Sequence, residues 1–406
     1  MTDTAPHKRK ALQTPADLAL LGAPPLFAVP RHVNRPHVPD KAAFDARINA
    51  AWERRWFTND GPLVKELEQR LCDYLDVPHC VLMSNATAAL DLTMKALGVK
   101  GEVILPAYTF ISTANILHIA GLTPVFCDVD ASMALDQAAC AARIGPRTGA
   151  VVATHVWGSP CDIDALQEVC DAHDIPLLFD AAHAFGARHK AHRLGRFGRA
   201  EVFSLHATKA FHTCEGGLVT TCDSTLAKTL RRMRNFGFDP MGAVECAGLN
   251  AKMSEMHAAM GLGNLDQINA TRALAQDVHR AYARGLADLP GFILKLPPAA
   301  EENNHHYVVG RINAAEFGMD RDRLHAVLVA ENVLARRYFR PGGHRCPPYI
   351  AQTKAAGLEL PQTDALCNDV LVLPGGAAAD PADVALICAL IRFAHDNAAA
   401  IAPPQG

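Results

Sequence analysis

Four residues of this 406-residue chain have the types and settings to do chemistry together: Asp180, His183, Ser204 and Lys209. Lys209 lies in VFSLHATKAFHTCEGG (202–217), just beyond an apolar run and ahead of two glycines. A lone loop lysine is ordinarily a solvated cation. Among small and polar residues at the end of a buried strand, its amine is partly desolvated, its pKa falls, and it becomes a nucleophile toward carbonyl carbon. Asp180 ends the run PLLFD and is followed by AAHAFGA (181–187). A carboxylate there is costly unless a cation or several donors meet it. It either caps the next helix or faces a cationic ligand.

A third component is SNATAALDLTMKALG (84–98), in which small residues lead from a strand into a helix. The free N–H groups of Ala86 and Thr87, with the Thr87 hydroxyl, suit a phosphate at the positive end of the helix. The same residues also serve as a plain N-cap. A nucleophilic lysine, a carboxylate and an anion cradle together fit pyridoxal 5′-phosphate (PLP). Its ring nitrogen needs a carboxylate partner, and a charge-assisted hydrogen bond of about 1.5–3 kcal/mol offsets the burial of Asp180. Tyr108 and Phe110, in LPAYTFISTAN (105–115), suit either the face of such a ring or the core. No Gly-x-Gly-x-x-Gly follows a strand and no Walker A sequence is present.

These residues need a scaffold, and the chain supplies a repeating one. Apolar runs at 80–83, 102–105, 124–129, 150–156, 176–180, 201–205 and 217–221 read as strands, with amphipathic stretches such as 86–98 and 162–173 between them. This is a βαβ series, hence an α/β fold with a mostly parallel sheet flanked by helices. Ligands of such sheets bind beyond the carboxyl ends of the strands, where residues 84–87, 106–110, 180–183 and 204–209 lie. A composition shift near Leu289-Pro290-Gly291 divides a large domain (36–288) from a smaller C-terminal α/β domain (289–406). Residues 1–35 read as a flexible, partly extended arm. Four prolines and Asp17 interrupt its apolar stretch, so neither a signal peptide nor a membrane span is expected.

Half of the residues are apolar, a fifth are charged and the net charge is −3, which gives no footprint for nucleic acid. The 12 cysteines are dispersed, many in apolar runs, and point to reduced thiols in a cytoplasmic protein. Despite 19 histidines no metal-ligand spacing occurs, and Asn303–Tyr307 (NNHHY) lacks supporting ligands, so no metal is expected.

The order SNATAAL, LPAYTFISTAN, PVFCDVD, HVWGSPCDIDAL, FDAAHAFGA, FSLHATKAFHTCEGG, GLNAKMSE closely resembles the DegT/DnrJ/EryC1/StrS sugar-nucleotide aminotransferases over roughly residues 55–395. These are PLP-dependent transferases of fold type I, with a seven-stranded large domain. The resemblance implies Lys209 as the Schiff-base lysine, Asp180 on the pyridine nitrogen and His183 beside the ring. It further implies Ala86, Thr87 and Ser204 at the phosphate, and Phe110 stacked on the ring. Asn250 resembles a residue that reaches the phosphate of a neighbouring subunit, which implies a homodimer with shared active sites. RRYFRPGGHRCPPY (336–349) resembles the family's sugar-nucleotide segment, giving Tyr338 and His344 as substrate contacts, and Thr58–Gly61 resembles an active-site turn. Two departures are EGG for a commoner Gly-Glu/Asp-Gly-Gly and Asn85-Ala86 where many relatives carry Gly.

The implied reaction is transfer of an amino group from L-glutamate to a keto-sugar nucleotide, at C4 of a dTDP-4-keto-6-deoxyhexose, in deoxyaminosugar biosynthesis. Three other readings are C3 amination of a dTDP-3-keto sugar, a PLP-dependent sugar dehydrase, and a non-catalytic sensor on the same fold. Relatives that act as dehydrases carry histidine in place of the lysine, whereas Lys209 is present here.

Overall fold

A computed structural model describes residues 12–297 and 303–401. Seven strands form the central sheet: β1 (His79–Met83), β2 (Glu102–Pro106), β3 (Thr123–Cys127), β4 (Thr148–Thr154), β5 (Leu177–Asp180), β6 (Ala200–Ser204) and β7 (Gly217–Thr221). Their order is β1-β7-β6-β5-β4-β2-β3. Every neighbouring pair is parallel except those of β7, which runs antiparallel to both β1 and β6. Two apolar cores, one on each face, explain why these strands read as continuous apolar runs.

Strand ends and helix starts converge at the carboxyl edge. Helix α1 (Ala86–Ala96) follows β1, and the Asn85 side chain caps it by accepting the Ala88 N–H at 2.8 Å. Helix α2 (Ile111–Ile119) follows β2. At this edge β7 presses against the start of α1. A Cβ on Gly217 would lie 2.4 Å from the Asn85 carbonyl carbon and 2.7 Å from the Ala86 nitrogen. Only glycine permits that approach.

The C-terminal part carries a three-stranded antiparallel sheet of β8 (Phe292–Leu294), β9 (Val308–Ile312) and β10 (Val370–Leu373). The expected arm is folded rather than flexible over its described residues. Leu18 and Phe27 are buried in the core of this C-terminal part. The N–H groups of Ala19 and Leu26 donate to the buried Glu331 carboxylate at 2.6 and 2.5 Å, and Arg31–His32 pairs in parallel with Val333–Leu334. No helix among the described residues is long and apolar enough to cross a membrane.

Candidate active site

One cavity of about 530 Å³ opens at the carboxyl edge of the large sheet. Its lining brings together Ala86, Thr87, Phe110, Asp180, His183, Ser204, Lys209 and Tyr338 from segments far apart in sequence.

Asp180 leaves the end of β5 with both oxygens engaged. Thr113 Oγ1 donates to Oδ2 at 2.7 Å and the Ala182 N–H donates to Oδ1 at 3.0 Å. These donors fix the orientation of the carboxylate. The carboxylate is therefore no mere helix cap, since it also lines the cavity.

Lys209 sits on the loop after β6, with its amine crowded by protein atoms. Burial lowers its pKa to about 8, against the opposing pull of the Asp180 charge. About a tenth of the amine is thus the nucleophilic free base at pH 7, far more than for an ordinary lysine. Nζ donates to the Tyr307 hydroxyl at 3.4 Å, a contact that crosses from the large sheet to the C-terminal part. Burial holds the Tyr307 phenol protonated, its pKa raised far above the ordinary value.

His183 forms a wall above this pair. It stacks on Trp157 at 5.2 Å and 22°, and its centroid lies 4.5 Å from that of Tyr307. Burial, helped by the Lys209 and His306 charges, drives its pKa well below the ordinary value, so the ring is neutral. Trp157 adopts φ +60°, a left-handed conformation that costs an ordinary residue about 1 kcal/mol or more. Stacking on His183 and, at 5.0 Å, on Phe339 offsets that strain. Phe110 lies across the cavity with 55% of its surface exposed, an aromatic face with room for a flat ring.

The residues expected at the phosphate lie together along one part of the cavity lining. The Ala86 and Thr87 N–H groups head α1, where the Asn85 cap serves Ala88 and leaves those two donors to the cavity. Thr87 Oγ1 lies 2.8 Å from Ser112 Oγ, and Ser204 lines the same floor. The residues fit PLP: a desolvated lysine, an oriented carboxylate for the ring nitrogen, aromatic walls and an anion site built on a helix start.

Other expected residues lie elsewhere. His344 is buried and does not line the cavity, so its expected substrate contact is corrected to a packing role. The chain turns away after Phe339: the Gly343 N–H donates to the Ala107 carbonyl at 2.8 Å, and His344 Nε2 pairs with Asp364 at 3.2 Å. Asn250 is exposed and outside this chain's own cavity, next to Ala251, whose carbonyl accepts the Ser84 N–H at 2.8 Å. Thr58–Gly61 is also outside it; there Asp60 accepts from Arg234 at 2.9 Å and Gly61 backs onto the Glu255 carboxylate.

Sequence reasoning missed Thr113, Tyr307, Arg336 and the arm residues His32 to Asn34, all of which line the cavity. Thr113 was within reach: it follows Phe110 by three residues, one helical turn into the segment already singled out. Tyr307 sat in a motif weighed only for metal.

A family model for the DegT/DnrJ/EryC1/StrS aminotransferase family matches residues 39–392. The chain belongs to this family. It is 34% identical over 318 residues to a dTDP-4-amino-4,6-dideoxy-D-glucose transaminase of Shigella dysenteriae, covering 77% of this chain and 85% of that protein. A transaminase of the same description from Escherichia coli is 32% identical, covering 84% and 92%. Among solved structures, that of DesI in the presence of its TDP-sugar product superposes with a TM-score of 0.90 at 44% identity, covering 94% of this chain and 96% of that one. The fold is that of PLP-dependent aminotransferases, and the family member described here is a PLP-dependent transaminase.

Proposed function

We propose that this enzyme moves an amino group from L-glutamate to C4 of dTDP-4-keto-6-deoxyglucose, working in the cytoplasm as a homodimer whose active sites are shared. The observation that carries the reading is the pairing of a buried Lys209, its pKa lowered to about 8, with an oriented Asp180 in a cavity large enough for more than the cofactor. The C4 position and the nucleotide are drawn from the transaminases that this chain resembles over most of its length.

When bound, PLP supplies an aldehyde that accepts an amine and a protonated ring that takes up the electron pair of the donor's Cα–H bond. The protein does the rest. Ala86, Thr87 and Ser204 would hold the phosphate, and Asp180, oriented by Thr113, would face the ring nitrogen. Phe110 and His183 would offer aromatic faces to the ring. Lys209 would be the group that takes up and returns the proton of the donor Cα. Tyr307, whose hydroxyl accepts from Nζ at 3.4 Å, would keep the amine beside the reacting face. The keto sugar would enter the mouth of the cavity near Tyr338, with the same lysine serving its proton transfers.

The deciding experiment follows both halves separately. L-glutamate should discharge the visible band of the holoenzyme and release one equivalent of 2-oxoglutarate. The discharged enzyme should convert dTDP-4-keto-6-deoxyglucose to a 4-amino sugar identified by NMR, and Lys209→Ala should do neither. A 3-amino product, or a dehydrated sugar without 2-oxoglutarate, would sink the proposal.

A further inference from the structure

We propose that His306 is a positioning residue for the reactive lysine, gripping the Thr208 carbonyl so that the backbone leading into Lys209 is held from the C-terminal part of the chain. This rests on Lys209 being the lysine that carries the cofactor, as proposed above.

The loop that bears Lys209 shapes itself but does not anchor itself. The Lys209 N–H donates to the His206 carbonyl at 2.9 Å, and the Thr208 N–H donates to His206 Nδ1 at 3.2 Å. Both bonds run inside the turn, so they set its form and not its place. A hold from outside comes from Asn303–Tyr307, where Asn303, Asn304, His306 and Tyr307 are all buried. His306 Nε2 donates to the Thr208 carbonyl at 2.8 Å, and the hydroxyl of the next residue, Tyr307, accepts from Lys209 Nζ at 3.4 Å. Two consecutive residues thus hold the lysine at both ends, at the peptide bond that leads into it and at its amine.

That segment is itself pinned to the loops of the large sheet. Asn303 Nδ2 donates to the Trp157 carbonyl at 3.1 Å and to Ser159 Oγ at 2.9 Å, while its Oδ1 accepts the His305 N–H at 2.6 Å. Asn304 Nδ2 donates to the His183 and Phe185 carbonyls at 2.8 and 3.2 Å, and its Oδ1 accepts the His306 N–H at 3.2 Å. Each carboxamide spends its donors on the large sheet's loops and its acceptor on its own segment, which leaves no freedom to slide. The His306 ring has little room to turn, since a Cβ on Gly376 would lie 2.9 Å from its Nδ1 and the Tyr307 ring stands edge-on at 4.9 Å.

A lysine amine rides on a long flexible stem and regains water if its backbone swings outward. Without a protein donor the Thr208 carbonyl would turn toward water and carry Lys209 with it. His306 removes that option. Burial lowers its pKa to about 4, so the ring is neutral and makes its bond without setting a second cation beside the amine.

The test titrates Lys209 in the cofactor-free enzyme by trace acetylation with acetic anhydride across pH, read by peptide mass spectrometry. The wild-type midpoint should lie near pH 8. In His306→Leu it should rise by about one unit or more toward that of an ordinary lysine, and capture of PLP at pH 7 should slow roughly tenfold. His306→Gln, whose amide N–H has a similar reach, should restore most of both. Val384→Ala, which opens a cavity in the core of the same C-terminal part, should lower the melting temperature and leave the midpoint in place. Should His306→Leu not fold, His306→Asn replaces it, because the same amide one methylene shorter falls short of the carbonyl and should shift the midpoint as His306→Leu would. An unchanged midpoint in whichever of the two folds would overturn the proposal. An equal shift in Val384→Ala would also overturn it, by reducing His306 to general packing, and no recovery in His306→Gln would overturn the bond as the cause. Borohydride reduction of the wild-type holoenzyme and peptide mapping should find the cofactor on Lys209. Cofactor on another lysine would overturn that reading, and the role of His306 with it, whatever the titration gives.

Discussion

Chemistry in this molecule turns on how far burial moves one amine and how firmly two donors hold one carboxylate. Burial lowers the pKa of Lys209 to about 8 and Asp180 works in the opposite direction. Only the unprotonated amine attacks the aldehyde of PLP. Capture of PLP by the cofactor-free enzyme should therefore accelerate about tenfold per pH unit on the acid side and level off above pH about 8. Asp180→Asn removes the charge that supports the protonated form, so the midpoint of its capture profile should move to lower pH. A stopped-flow pH series checks both, and a midpoint that stayed put in the variant would show that the carboxylate does not act on the amine. Thr113 is the matching test for the carboxylate. Thr113→Val deletes the 2.7 Å donor to Asp180 while keeping its shape, and a hydrogen bond to a charged group contributes about 1.5–3 kcal/mol. The variant should hold PLP roughly tenfold or more weakly, read by equilibrium dialysis, with its melting temperature little changed.

Among the elements, the junction of β7 with the start of α1 does the most positioning. Gly217→Ala would place a methyl group 2.4 Å from the Asn85 carbonyl, against backbone that cannot rotate aside. Pushing the helix start away costs about 1–3 kcal/mol and displaces the phosphate donors of Ala86 and Thr87. This variant should lower the melting temperature and the affinity for PLP together, whereas Asn85→Ala, losing one cap, should cost about 1 kcal/mol. The strands around this junction were legible in the sequence because each is buried on both faces and reads as an unbroken apolar run, as at Leu177–Asp180. Lys209, Asp180 and the α1 start were legible for a related reason: a parallel sheet puts strand ends at one edge, and their residue types are unusual there. The arm was not. Leu18 and Phe27 bury themselves against residues some 300 positions away, and Glu331 satisfies their neighbours' N–H groups, so no local pattern distinguishes the segment from a linker. His344 was misread for the converse reason. Its sequence neighbours line the cavity, but one backbone bond from Gly343 to Ala107 turns the chain inward before His344 is reached.

At the level of the whole molecule, the single chain leaves several large apolar side chains exposed, Phe110 of the cavity lining among them. Phe110, Trp52, Phe236, Val244 and Met241 are exposed by 55, 69, 46, 66 and 90%. Asn250 faces outward from the same loop region as Phe236 and Val244. In the proposed homodimer a second copy would cover such side chains, and each Asn250 would complete the phosphate site of the other chain. That arrangement has a consequence that no single-chain site could mimic. Lys209→Ala should be inactive, and Asn250→Ala should bind PLP weakly and turn over slowly at limiting cofactor. When the two variants are unfolded together and refolded, mixed dimers should form. In each of them one site receives both an intact Lys209 from one chain and an intact Asn250 from the other. Activity at limiting PLP should then rise toward one quarter of the wild-type value, since half of the dimers are mixed and each has one working site. If each chain instead supplied its own Asn250, every site in a mixed dimer would lack one of the two residues, and mixing would restore nothing.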